Sequence, residues 1–245
     1  MFSRTWLVVG LLAGSALLRG SDSLGHAQLA REWLGRETWA QVIEIENTAR
    51  HSRYPRVVDA VVFEFGGLLW FYTDTDGTQS FSLHVGRLAE EKGDFGPLLR
   101  DIEPGFVRWR VVDGAARGKP GGVLPNGCFI ASIAAWRERT RRGVAMENPR
   151  LLSFYVAVTG GLKGHTVLVY SADGELHVID TIEREVRAST WPESLAADPL
   201  LLAQRIEGER VARAREVPLG VNDRGAVRVA DTAAPGDRGG QPRQS

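Results

Sequence analysis

Several features that mark particular classes of protein are scarce in this sequence. Cys128 is its single cysteine, which excludes an intrachain disulfide and any zinc or iron–sulfur site built from several cysteines. Thirty acidic residues balance thirty basic ones, of which only Lys92, Lys119 and Lys163 are lysines. Because the net charge is zero, we expect no broad basic surface and no nucleic-acid partner.

The sequence also lacks an apolar run long enough to span a bilayer comfortably. Its longest run, Thr5 to Leu18, is interrupted only by Gly and Ser, follows Arg4, and precedes Gly25-His26-Ala27, a small-residue cleavage motif. This is the layout of a secretory signal peptide. We therefore expect residues 1–27 to be removed, giving a secreted or periplasmic protein with no stable membrane span. An uncleaved anchor is the alternative.

The remaining composition is typical of a folded protein, with 43% hydrophobic residues. The hydrophobic pattern of residues 28–114 predicts an N-terminal α/β extension. Its elements are a helical pattern over 28–50 with a break near Gly35, an antiparallel meander of three strands (Val57–Phe65, Leu68–Thr75, Thr78–Val85), a short helix within 87–101 and a strand at Phe106–Val112.

Residues 115–219 predict a second, mixed region, and together the two regions indicate an α+β fold. Its elements are a loop at 115–126, a helix over Cys128–Arg142, strands at Leu152–Thr159, His165–Tyr170 and Leu176–Ile182, and a helical stretch over Trp191–Ala214 on either side of Pro199. Asp173-Gly174 predicts the turn of a hairpin. The polar tail at 220–245 predicts disorder.

Three residues stand in positions that suit nucleophilic catalysis. Cys128 begins the predicted helix after Asn126, a good N-cap residue, and the free N–H groups of a helix start favour a thiolate. His165 opens a strand, and Asp180 lies 15 residues later on the partner strand of its hairpin. The order supplies a nucleophile, a base and an acid that orients the base.

This order of Cys, His and Asp, with the segment GHTVLVYSADGELHVIDTI (164–182), resembles the core of transglutaminase-like cysteine peptidases. That family belongs to the papain-like fold group. The resemblance implies a helix bearing Cys128, packed on an antiparallel sheet that bears His165 and Asp180. It covers about residues 120–185 and leaves the N-terminal β extension outside it.

The resemblance implies thiol-dependent acyl transfer on a peptide or other amide, for example one derived from the cell wall, without a cofactor or metal. Cys128 would attack, His165 would move the proton, and Asp180 would orient the imidazole. The Cys128 N–H would stabilise the oxyanion, with Asn126 as a second, speculative donor. Whether water or an amine accepts the acyl group stays open.

Alternatives remain at three points. His177 competes for the third role, but its odd spacing from Asp180 predicts the opposite face of the sheet. No obvious Gln stands shortly before Cys128 to complete an oxyanion hole, so a module that only binds peptide or cell-wall fragments is a second interpretation. Residues 57–81 faintly resemble flavin-binding split-barrel proteins, although no basic pair suits a flavin phosphate.

Overall fold

The computed structural model describes residues 23–48, 56–66, 68–75, 77–80, 93–112, 123–158, 161–182, 185–208, 210–220 and 231–233. It is an α+β structure that divides into two compact units, residues 1–127 and residues 128–245. The division falls directly before Cys128, whereas the sequence predicted a boundary near residue 115. No helix of the described residues is long and apolar enough to cross a membrane.

Unit 1 contains one five-stranded antiparallel sheet with the order β4-β3-β2-β1-β5. In chain order its elements are helix α1 (residues 23–34), β1 (Ala40–Asn47), β2 (Val57–Phe65), β3 (Leu68–Thr73), β4 (Gly77–Ser80), α2 (Gly96–Ile102) and β5 (Phe106–Val111). One face of the sheet buries Ile43, Val62 and Phe71 with Phe95 and Leu98 from the segment around α2. Each such side chain contributes about 1.5–3 kcal/mol by leaving water.

The predicted meander is present as β2, β3 and β4, although residues 81–92 lie outside the described part. The helical prediction for 28–50 was wrong beyond Gly35, because 40–47 form β1. Val42, Ile43 and Ile45 are buried there between β2 and β5. Branched side chains pack well on a pleated sheet, and tertiary pairing overrides the local helical pattern.

Unit 2 contains a six-stranded antiparallel sheet with the order β11-β10-β6-β7-β8-β9. Its elements are α3 (Cys128–Arg141), β6 (Glu147–Val158), β7 (Gly161–Ala172), β8 (Glu175–Ile182), β9 (Glu185–Pro192), a 3-10 helix (Glu193–Ala197), α4 (Pro199–Glu207), β10 (Val211–Pro218) and β11 (Asp231–Ala233). Helix α3 packs on β6, β7 and β8. Asp173 and Gly174 both have positive φ, as the predicted two-residue hairpin turn requires.

Two predictions about the end of unit 2 were wrong. Residues 191–214 are not helical throughout, because Trp191 and Pro192 close β9 and Val211–Pro218 form β10. Val211 and Ala214 pack in the core with α4 and β6, and this burial stabilises the extended conformation. Residues 231–233 of the tail, expected to be disordered, pair with β10 as β11.

Helix α1 is tied to the sheet of unit 1 by two polar contacts. Ser23 Oγ donates to Asp59 Oδ2 at 2.7 Å, and His26 Nδ1 lies 2.9 Å from Asp74 Oδ2. Burial raises the pKa of Asp59, the Ser23 hydrogen bond opposes this, and the nearby carboxylates of Glu44 and Asp74 raise it further. The signal-peptide cleavage predicted after Ala27 falls within α1 and would remove both contacts.

Replacing Asp59 with asparagine should stabilise the chain at pH 7. The raised pKa means that folded Asp59 holds its proton at a pH where the unfolded chain has lost it, so stability falls as pH rises from 3.8 through the folded pKa. Asp59→Asn keeps an oxygen for Ser23 and removes that penalty. Urea midpoints of the full chain at pH 4 and pH 7 measure the difference between wild type and variant.

Asp59→Ala is the matched control, because it removes the acceptor of Ser23 as well as the charge and should destabilise relative to Asp59→Asn. A variant Asp59→Asn that is less stable than wild type at pH 7 would show that the charge of Asp59 is favourable in the fold.

Candidate active site

Cys128 is the first residue of α3, as the sequence predicted, and the residue is half-buried. The N-cap position falls on Gly127, not on Asn126 as expected. A Cβ on Gly127 would lie only 2.5 Å from the side chain of Leu124, so the turn leaves no room for a larger residue. The N–H groups of the first turn have no partner within their own helix, which places positive partial charge beside the thiol.

His165 and Asp180 lie on the same face of the sheet. The register pairs Leu168 of β7 with Ile179 of β8. His165 is three residues from Leu168 and Asp180 is one residue from Ile179, so both side chains point to the opposite face from that pair. His165 Nε2 is 3.0 Å from Asp180 Oδ1, and each side chain is only 17% exposed. The hairpin thus brings His165 and Asp180 into contact, as its spacing predicted.

The third predicted residue, Cys128, lies close enough to His165 to act on the charge of its ring. Asp180 occupies Nε2, so Nδ1 is the ring nitrogen left for the sulfur. Burial alone lowers the pKa of His165, but the hydrogen bonds to Asp180 and Cys128 outweigh it and raise the pKa to about 10. Folding therefore brings all three predicted residues into contact within unit 2.

Packing holds the imidazole in this orientation. Phe154, the cross-strand partner of His165, is fully buried, and the two ring centroids lie 5.5 Å apart at an interplanar angle of 75°. Such an edge-to-face contact restricts rotation of the imidazole as well as burying it. His177 points to the other face, where it stacks on Tyr170 with centroids 5.0 Å apart. It does not take the place of Asp180.

Asn126 belongs to unit 1 and has a different role in the structure. Its backbone has a φ of 52°, and its amide Nδ2 donates to the carbonyl oxygens of Asp74 and Thr75 at 2.8 and 3.0 Å. Tyr72 also donates to the carbonyl of Pro125, at 2.7 Å. The amide protons of Asn126 thus bond to the turn that follows β3.

His26 pairs with Asp74, while His51 and His84 lie outside the described residues. Within the described part of the chain, no group of three or more His, Cys, Asp and Glu residues could hold a metal ion.

Ser132 carried no sequence signal beyond its spacing of four residues from Cys128. The structure shows it fully buried, with its hydroxyl donating to the backbone carbonyl of Thr166 at 3.1 Å. Thr166 follows His165 in the chain, so this bond joins the helix that begins with Cys128 to the strand that carries His165.

Comparison with protein-family models, curated proteins and solved structures finds no match to this chain. The interpretation of the site therefore depends on its own geometry.

The titration of His165 tests that geometry directly. NMR of the imidazole nitrogens should show a charged ring at pH 7 and a midpoint near pH 10. Asp180→Asn and Cys128→Ala each remove a group that favours the charged ring, so each should lower the midpoint toward the ordinary value of 6.5.

The same pairing should stabilise unit 2 fully below pH 6.5 and should be lost as the pH rises through about 10. His177→Ala, on the other face of the sheet, is the control that should leave the midpoint of His165 unchanged. A wild-type midpoint near 6.5 would contradict the contact among the three side chains.

Proposed function

We propose that this protein is a cysteine peptidase or amidase with a transglutaminase-like, papain-like catalytic core in unit 2. The observation that carries the proposal is the position of the His165 ring, which bonds to Asp180 through Nε2 and lies near enough to Cys128 for the two groups to interact. A helix-start thiol, a base and an orienting acid in one cluster are what thiol-dependent acyl transfer requires.

The first half of the proposed reaction forms a thioester. His165 takes the proton of Cys128, and the thiolate attacks the carbonyl carbon of an amide. The resulting oxyanion accepts a hydrogen bond from the Cys128 N–H at the start of α3. When the C–N bond breaks, His165 returns the proton to the leaving amine, and the acyl group stays on the sulfur.

The second half releases the acyl group. His165, now neutral, takes a proton from water, and the hydroxide attacks the thioester carbon. The C–S bond breaks, the carboxylic acid leaves, and the proton on His165 restores the pair with the Cys128 sulfur. An amine in place of water would complete a transamidation by the same steps. Asp180 stabilises the imidazolium throughout and keeps the ring in one orientation.

Three properties of the site support this chemistry. Cys128 is a free cysteine and is only partly buried. The raised pKa of His165 keeps an imidazolium beside the sulfur at neutral pH, which favours a thiolate. The proposed reaction uses only these side chains and needs no cofactor. The proposed substrate is a peptide or cell-wall amide outside the cytoplasm, as the predicted signal peptide indicates.

Alkylation by iodoacetamide tests the nucleophile. Wild-type Cys128 should react at pH 7 faster than a free thiol such as glutathione. His165→Ala should slow this alkylation to the rate of an ordinary thiol, because the neighbouring positive charge is lost. Mass spectrometry of the intact protein follows the reaction. His177→Ala is the matched control and should react like wild type.

Turnover tests the reaction itself. Cleavage of peptide pools and cell-wall fragments by the full chain should fall by about a thousandfold or more in Cys128→Ala, as for the loss of a triad nucleophile. Alkylation no faster than glutathione would contradict the proposal. Fast alkylation with no cleavage or transfer in any pool would instead favour a module that only binds such ligands.

A further inference from the structure

Ser132 occupies an unusual place for a serine. It lies in the interior of α3, four residues after Cys128, so the two side chains share one face of the helix about 6 Å apart along its axis. A helix-interior serine commonly bonds to the carbonyl four residues earlier, which here belongs to Cys128. Ser132 instead donates across to the Thr166 carbonyl of β7, at 3.1 Å.

The acceptor, the Thr166 carbonyl, lies on a part of β7 that is not paired with β8. The ladder between β7 and β8 begins at Leu168 and Ile179, so Thr166 is beyond its end. On the other side, the Thr166 hydroxyl lies 2.9 Å from Ser153 Oγ on β6. Ser132 therefore attaches α3 to β7 one residue from His165, and Ser153 attaches the same residue to β6.

The bond is well placed to determine the distance between helix and strand. Ser132 is 0% exposed and Thr166 is 5% exposed, so water does not replace the hydrogen bond if the helix moves. A slide or rotation of α3 that would carry Cys128 away from His165 would leave the hydroxyl and the carbonyl unpaired in the core. That cost keeps the helix in one position on the strand.

We propose that Ser132 is a positioning residue whose buried bond to the Thr166 carbonyl holds the Cys128 sulfur against the His165 ring. The proposal rests on the proposed function, in which these two side chains are nucleophile and base. Ser132 touches neither the substrate nor the reacting atoms. It acts through the placement of α3, and a misplacement of about 1 Å can cost a hundredfold in rate.

The experiment compares Ser132→Ala, Ser132→Thr and Ser153→Ala with the wild-type full chain. Ser132→Ala removes the bond, and alanine favours the helix, so the fold should persist. Ser132→Thr keeps a hydroxyl. Ser153→Ala is the matched control, since it removes a hydroxyl that bonds to the same Thr166 but does not join the helix to the strand. Urea midpoints report the stability of each variant.

Two readouts separate positioning from simple stability. In Ser132→Ala the NMR titration midpoint of His165 should fall by about one pH unit, and alkylation of Cys128 at pH 7 should slow about tenfold. Ser132→Thr and Ser153→Ala should keep both values close to wild type, whatever they do to the urea midpoint.

Three results would overturn the proposal. The first is a titration midpoint of His165 in Ser132→Ala that equals the wild-type value. The second is an equal fall of the midpoint and of the alkylation rate in Ser132→Ala and Ser153→Ala. The third is a Ser132→Thr variant in which both values fall as far as in Ser132→Ala. The proposed function fails separately: if wild type cleaves no amide while the titrations follow the expected pattern, Ser132 still positions the helix and only the hydrolase proposal falls.

Discussion

The hydrogen bond between His165 and Asp180 is the interaction on which the rest of the site depends. An imidazole taken largely out of water prefers to be neutral, and a neutral ring would do little to favour a thiolate beside it. The carboxylate 3.0 Å away, together with the Cys128 sulfur, reverses that preference. The charge on the ring is thus a product of contacts that exist only in the folded chain.

The fold maintains those contacts with ordinary packing and few polar bonds. Two of the three residues lie on neighbouring strands of one hairpin, just beyond the end of the ladder, and a side-chain hydrogen bond of 3.0 Å joins them. The third comes from a helix, whose position on a sheet is less strictly determined by backbone bonds. Ile130 and Ile133 bury the helix without directional preference, while the Ser132 hydroxyl adds a directional bond.

Local patterns in the sequence were sufficient for much of the fold and for the three site residues. The turn residues Asp173 and Gly174 predict a hairpin, and the alternation of apolar and polar residues on either side predicts how its strands align. The pairing of His165 with Asp180 could therefore be predicted. Helix α3 was predicted almost to its ends. By contrast, 40–47 and 211–214 were assigned to helices, because their apolar spacing suits either structure and only pairing with distant strands decides between them.

By itself, the sequence determined what is local and periodic: the strands of the meander, the start of the Cys128 helix, and the hairpin that carries a histidine and an aspartate. Only the tertiary structure decided that the helix packs against that hairpin and that Ser132 bonds to Thr166. It also decided that the N-cap residue of the helix is Gly127 and not Asn126. These outcomes depend on which surfaces meet across long stretches of chain. Burial and directional hydrogen bonds determine which surfaces meet, and the spacing of neighbouring residues does not predict either of them.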